Sequence, residues 1–132
     1  MTRTSRTTQV AVAVAANFAL VLWHLALLQH VYPPGPGFNI PTLGITVGVC
    51  SLAGVLMLWT RFAKFAACFI IALLLIALVT GGGEHFVFPG PFNVFYLTPN
   101  DWAAQFDVSA ALLAVVEIVG LWLAFRVIAA KS

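Results

Sequence analysis

One acidic residue stands in the middle of an apolar segment, in "LLAVVEIVGLW", where Glu117 is flanked by aliphatic residues. An ionised, unpaired carboxyl costs several kcal/mol in such surroundings, so we expect Glu117 to be neutral or to have a partner. Small residues at helical spacing, Ala110, Ala114, Gly120 and Ala124, share its side of a helix. This pattern predicts that Glu117 faces a closely packed helix.

Two polar residues of an earlier apolar segment are candidate partners for Glu117. Asn17 and His24 are seven residues apart and therefore lie on one helix face. Ser51 falls at a similar depth in the next segment. The sequence predicts an intramembrane polar cluster of Glu117, His24, Asn17 and Ser51. Its interpretation is open between a structural clasp that joins helices, a proton- or ion-coupling site, and a contact for a cofactor or partner subunit.

A short loop motif occurs twice, as "HVYPPGPGFN" at 30–39 and as "HFVFPGPFN" at 85–93. Proline fixes φ and glycine relieves steric limits, so Pro-Gly-Pro predicts a stiff, sharply turned segment that folds back on the bundle. The asparagine that follows is suited to bonding nearby backbone groups. The shared positions are His30, Pro34, Gly35, Pro36, Phe38 and Asn39 in the first copy, and His85, Pro89, Gly90, Pro91, Phe92 and Asn93 in the second.

Four residues, His24, His30, Glu84 and His85, raise a metal or haem hypothesis. Imidazole is a ligand for zinc, copper and iron, and a symmetric pair of His30 and His85 could hold a haem iron axially. The spacing matches no established metal or haem motif, and both residues are equally suited to a membrane interface. The sequence therefore predicts no cofactor, with haem or copper as the alternative.

The elements that carry these residues are apolar helices. The chain has 132 residues, of which 62% are hydrophobic and 8% charged, whereas about a quarter of the residues of a soluble domain are charged. Four segments, at about 10–30, 43–60, 64–80 and 107–128, are near the roughly 17–25 residues that cross a bilayer. The predicted fold is a single all-α membrane domain, 1–132. It consists of four transmembrane helices in two similar hairpin halves, about 10–64 and 65–131, with outer loops rich in proline, glycine and aromatics.

The charged residues predict the orientation of these spans. All six basic residues fall at the termini or between the second and third spans: Arg3, Arg6, Arg61, Lys64, Arg126 and Lys131. The positive-inside rule places those regions, and both termini, in the cytoplasm, in a membrane of the bacterial inner or plasma type. The net charge of +2 reflects this placement of the basic residues, so we expect no nucleic-acid partner. The glycines at 81–83 precede no phosphate-binding helix and are interpreted as a flexible exit from the third span, so we expect no nucleotide partner.

Three functions remain open at this point. The leading prediction is a non-catalytic accessory or assembly subunit of a larger membrane complex, or a homo-oligomer, that packs through small-residue helix faces and aromatic loops. Its partners would be the lipid bilayer and other membrane subunits or further copies of itself. The alternative is a small proton- or ion-coupled transporter that uses Glu117 with His24 and Asn17. The third is a haem or metal redox protein that uses His30 and His85.

Overall fold

A computed structural model describes residues 3–31, 42–90, 92–97 and 99–130 of the chain. Their regular structure is entirely helical. The helices are α1 (Arg3–Val31), α2 (Thr42–Met57), α3 (Ala63–Gly82) and α4 (Ala103–Ile128). A π-helical turn (Gly83–Val87) continues α3, and a 3-10 turn (Val94–Tyr96) precedes α4.

Three of the helices are long and apolar enough to cross a membrane, and they correspond to α1, α3 with its π turn, and α4. The fourth, α2, is apolar but shorter, with 16 residues. All four helices occur where the sequence places an apolar segment. The second helix ends at Met57, before the predicted limit of 60, because residues 58–62 form the turn into α3.

The four helices form a bundle in which each packs against two neighbours. The order around the bundle is α1, α2, α3, α4, and α4 closes the ring by packing on α1. The tight turn between α2 and α3 makes these two helices antiparallel. Thr60 stabilises that turn, since its hydroxyl donates to the Met57 carbonyl at 2.8 Å and accepts from the Phe62 amide at 3.1 Å.

Buried apolar side chains form two clusters at opposite ends of the bundle. The first cluster lies where α1 begins and α4 ends, and it contains Val10, Val14, Leu58, Ala66, Ala67, Ile70, Ile71, Leu74, Ala124 and Val127. The second lies where α1 ends and α4 begins, and it contains Leu27, Leu28, Val31 and Phe106. We call the half of the bundle around the first cluster the packed half.

Glycines let the helices approach closely at two points. A Cβ on Gly48 of α2 would lie 2.6 Å from the Phe18 ring of α1, and one on Gly120 of α4 would lie 2.8 Å from Leu74 of α3. Both glycines therefore serve contacts inside the bundle, as small residues commonly do where helices pack closely.

The region between α3 and α4 differs from one expectation. The glycines at 81–83 do not form a flexible exit, because α3 stays helical through Gly82 and continues as the π turn. Helix α4 begins at Ala103, and just before it the Asn100 side chain accepts from the Trp102 amide at 2.8 Å.

Part of the repeated loop motif lies outside the described residues. This applies to Pro34, Gly35, Pro36, Phe38, Asn39 and Pro91. The division of the chain into two similar halves stays a prediction.

Candidate functional site

A pocket with a volume of about 170 Å³ lies among the four helices, next to the second apolar cluster. Its walls are mainly aliphatic, from residues such as Val21, Leu25, Val47 and Leu113. Six polar side chains also line it: Asn17, His24, Thr80, Glu84, His85 and Glu117. We call this cavity the interhelical pocket, and the part of the bundle around it the pocket half.

Glu117 and Asn17 are the most deeply buried acidic and amide side chains of the pocket. Glu117 is 5% exposed and Asn17 is 2% exposed. Within the described residues, the Glu117 carboxyl has no hydrogen bond and the Asn17 Oδ1 atom is buried without a partner. A buried polar atom without a partner costs about 1–3 kcal/mol, so the Asn17 oxygen lowers the stability of the bundle.

His24 is held in one orientation and one tautomer. Its Nδ1 atom lies 2.7 Å from the Ser109 hydroxyl, and that hydroxyl donates its only proton to the Phe106 carbonyl, also at 2.7 Å. With the Ser109 proton directed at Phe106, Nδ1 carries the hydrogen and donates to Ser109. In the neutral ring this leaves Nε2 as an acceptor. The Phe106 ring packs on the imidazole at a centroid distance of 4.4 Å.

His85 enters the pocket from the π turn. In this turn the Phe88 amide bonds to the Gly83 carbonyl at 2.8 Å, five residues back. A side chain on Gly83 would collide with the Phe88 ring at 2.8 Å, so the turn depends on glycine there. The π turn rotates the residues that follow α3, and π turns of this kind are frequent at functional sites. It brings the His85 ring to a centroid distance of 4.7 Å from His24, edge to face.

The loop after the π turn fixes the tautomer of His85 as well. Its Nδ1 lies 2.8 Å from the Phe92 carbonyl, which can only accept, so Nδ1 carries the hydrogen. Asn93 holds this loop in place: its Nδ2 donates to the Phe88 carbonyl and its Oδ1 accepts from the Phe95 amide, both at 2.9 Å. Both histidines therefore have Nδ1 engaged, and neither Nε2 has a hydrogen bond to a described residue.

The structure brings three of the four residues of the predicted polar cluster to one pocket. Asn17, His24 and Glu117 line it together, although no hydrogen bond joins them among the described residues. Ser51 is fully buried but does not line the pocket, and its hydroxyl is buried without a partner.

The histidines have a different arrangement from the pair that the loop motif suggests. His30 is exposed and stacks on Trp102 at a centroid distance of 4.5 Å, whereas His85 contacts His24. The described residues contain no group of three or more His, Cys, Asp or Glu side chains arranged to hold a metal ion.

The sequence analysis missed two features of the site, Ser109 as the acceptor for His24 and the π turn. It considered Glu84 only as a candidate metal ligand beside His85, and not as a residue that lines a pocket with Glu117. The adjacent pair Glu84 and His85 offered a signal, but in an extended loop such neighbours point opposite ways. Because the segment is helical, both side chains line the pocket.

Comparison with known proteins adds no functional assignment. No family model, curated protein or solved structure gave a significant match to the chain. The function is therefore argued from the site itself.

Proposed function

We propose that the chain is a four-helix integral membrane protein, with both termini in the cytoplasm, that acts as a small proton- or ion-coupled carrier. The single observation that carries this proposal is the interhelical pocket. It holds the buried Glu117 carboxyl and the unpaired Asn17 oxygen together with two oriented imidazoles.

The outer surface of the bundle supports the membrane assignment. Large apolar side chains are exposed on every helix, for example Val12, Val49, Phe65, Val115 and Ile118. In water such a surface would be an extended hydrophobic patch, whereas in a bilayer it contacts lipid.

The ends of the helices support the proposed orientation. The Arg61 guanidinium lies 4.9 Å from the Phe62 ring centroid, and that of Arg126 lies 4.7 Å from the Trp122 ring centroid. Aromatic and basic side chains combine in this way at membrane interfaces. Both contacts lie at the packed end of the bundle, which would face the cytoplasm.

The pocket supports a coupling role for Glu117 because it joins a buried carboxyl to an exposed one. Glu84 is exposed and Glu117 is buried, and both line the same cavity. Ionisable residues inside a bilayer are costly and are commonly part of ion or proton pathways. A proton or cation that enters beside Glu84 would be in the same cavity as Glu117.

A flux measurement tests this function. We would reconstitute the protein in liposomes, impose an inside-negative potential, and follow lumenal dyes for protons and for Na⁺. The wild type should conduct one of these ions above the protein-free rate, and Glu117→Gln should return the flux to that rate. Asp101→Asn is the matched control, since Asp101 is an exposed carboxyl that does not line the pocket. Equal flux through wild type and Glu117→Gln would refute the coupling role.

The accessory-subunit function stays a prediction. Exposed apolar surface suits a partner subunit and lipid equally well, whereas the pocket with its buried carboxyl is the specific feature that the carrier hypothesis uses. Purification in mild detergent at native expression level, with mass spectrometry of co-purifying chains and an optical spectrum, separates the three functions. A stoichiometric larger subunit would favour the accessory function, and a visible chromophore would favour the haem or metal one.

A further inference from the structure

We infer that the interhelical pocket is built for a small protonated amine, with the ammonium group held at Glu117 and a short alkyl body against the aliphatic wall. This inference deepens the proposed function and rests on the pocket being a cation site. It follows from the hydrogen-bonding capacity of the side chains that line the cavity.

The polar side chains of the pocket present acceptors. Thr80 donates its hydroxyl proton to the Ile76 carbonyl at 2.7 Å, so its oxygen can only accept from a ligand. His24 and His85 have both donated Nδ1–H to the protein, which leaves each neutral ring only the acceptor Nε2. Ionised Glu84 and Glu117 are acceptors as well, and Asn17 has an unpaired buried oxygen.

The donors that would suit an anion are missing from this wall. No lysine or arginine is among the described residues that line the pocket. With both carboxyls ionised and both imidazoles neutral, the Asn17 amide is the one described side chain there that can still donate to a ligand. A ligand that satisfies the pocket must therefore bring its own donors. An alkylammonium group brings three N–H donors and a positive charge, and charge-assisted bonds of this kind are about twice as strong as neutral ones.

The volume of the pocket and its apolar wall indicate the size and polarity of the part of the ligand beyond the ammonium group. Space of about 170 Å³ is many times the roughly 10–15 Å³ that one water needs, so a molecule of several non-hydrogen atoms fits. Val21, Leu25 and Val47 are suited to an alkyl chain and not to a hydrated inorganic ion. These features favour a short alkylamine over a bare monovalent cation.

Equilibrium binding to the purified full-length protein in mild detergent tests the inference independently of transport. The probe is radiolabelled n-propylamine in a scintillation proximity assay, at a pH at which the amine is protonated. We expect saturable binding to the wild type that unlabelled propylamine displaces. Neutral n-propanol, anionic propionate, and tetramethylammonium, which has charge but no N–H donor, should each compete at least about tenfold less well, because each lacks the charge or the donors.

Three variants complete the test. Glu117→Gln keeps the shape and removes the charge, and it should weaken propylamine binding about tenfold or more. Glu84→Gln, at an exposed position that tolerates change, should weaken it by a smaller factor because water screens that carboxylate. Asp101→Asn should bind as the wild type does. Gel filtration and thermal unfolding establish that each variant is folded.

Several results would overturn the inference. They are the absence of saturable propylamine binding, equal competition by n-propanol or tetramethylammonium, or unchanged propylamine binding in Glu117→Gln. Tight stoichiometric Zn²⁺ binding that requires both His24 and His85 and displaces propylamine would instead identify a metal site. If ion flux depends on Glu117 while propylamine does not bind, the carrier function survives and the ligand class is wrong. If propylamine binds but the protein conducts neither protons nor Na⁺, the ligand class survives and the ion-carrier function is wrong.

Discussion

The packed half and the pocket half of the bundle are built from the same four helices, but their interiors differ in packing and polarity. In the packed half, Ile70 and Leu74 are almost fully buried among other aliphatic side chains, and Gly120 lets α4 approach α3. In the pocket half, at a similar level of burial, the Asn17 Oδ1 atom has no hydrogen-bond partner among the described residues, and Glu117 faces the cavity. One half gains stability from close packing, and the other gives up stability to keep polar groups available.

The two ends also differ in charge. Arg61 and Arg126 lie at the packed end, whereas the exposed acids Glu84 and Asp101 lie at the pocket end. A region of one sign raises the local concentration of oppositely charged solutes. The pocket end therefore attracts cations, in agreement with the acceptors that line the cavity. The predictions below separate stability in the packed half from binding in the pocket half.

The largest loss of stability is expected from Ile70→Ala in the packed half. Ile70 is fully buried, and the substitution leaves a cavity among its neighbours. The free energy of unfolding, measured by denaturant titration in mild detergent, should fall by about 2 kcal/mol, the lower end of the usual range because detergent also solvates the exposed side chain. Leu75→Ala, at an exposed position of the same helix, is the control. An equal loss in both variants would mean that the inner face of α3 is no more closely packed than its exposed face.

Next in size is the effect of Gly48→Ala where α2 meets α1. The new Cβ would lie 2.6 Å from the Phe18 ring, so the ring or the helix must move. We expect a loss of about 1–2 kcal/mol in the same titration, since overpacking of this kind strains its neighbours.

Gly44→Ala, one turn away, is the matched control for Gly48→Ala. Its Cβ would be in ordinary contact, 3.6 Å from Val21 at the pocket wall, and alanine favours a helix over glycine. Its stability should be unchanged or higher. A loss in Gly44→Ala as large as in Gly48→Ala would show that the pocket half is packed as tightly as the contact beside it.

A gain of stability is expected when the pocket half is made apolar. Asn17→Leu removes a buried amide whose oxygen has no partner, so the free energy of unfolding should rise by about 1 kcal/mol. The same variant should bind propylamine less well in the scintillation assay, because an acceptor and some space are lost. A fall in stability instead would show that Asn17 is bonded in the folded protein and that its burial is structural.

The contrast between the halves also shows what the sequence can predict. The apolar segments, the placement of the basic residues, and the shared face of Asn17 and His24 all follow from residue types and helical spacing. These features depend on local chemistry. The position of Glu117 opposite them is predictable because a buried carboxyl needs a polar or open neighbourhood.

The pairing of the histidines could not be predicted in this way. The repeated loop motif favours His30 as the counterpart of His85, but α1 remains helical through Val31. His24 and His30 are six residues apart, which places them on different sides of one helix, so only one of them can face the bundle. The π turn then decides which residue His85 meets, and its i to i+5 bond leaves no pattern in hydrophobicity.

The smallest effect, and the finest test of the comparison, is expected from two serines that are both fully buried. Ser109→Ala removes the acceptor of His24 Nδ1–H and should cost about 0.5–1.5 kcal/mol, the net worth of one hydrogen bond. Ser51→Ala removes a hydroxyl without a partner and should be neutral or slightly stabilising. Ser109→Ala should also alter the nitrogen chemical shifts of the His24 ring, because nothing then holds the hydrogen on Nδ1, whereas Ser51→Ala should leave them unchanged. If the two variants behave alike in both measurements, Ser109 does not fix the tautomer of His24, and the acceptor Nε2 that the amine site requires loses its support.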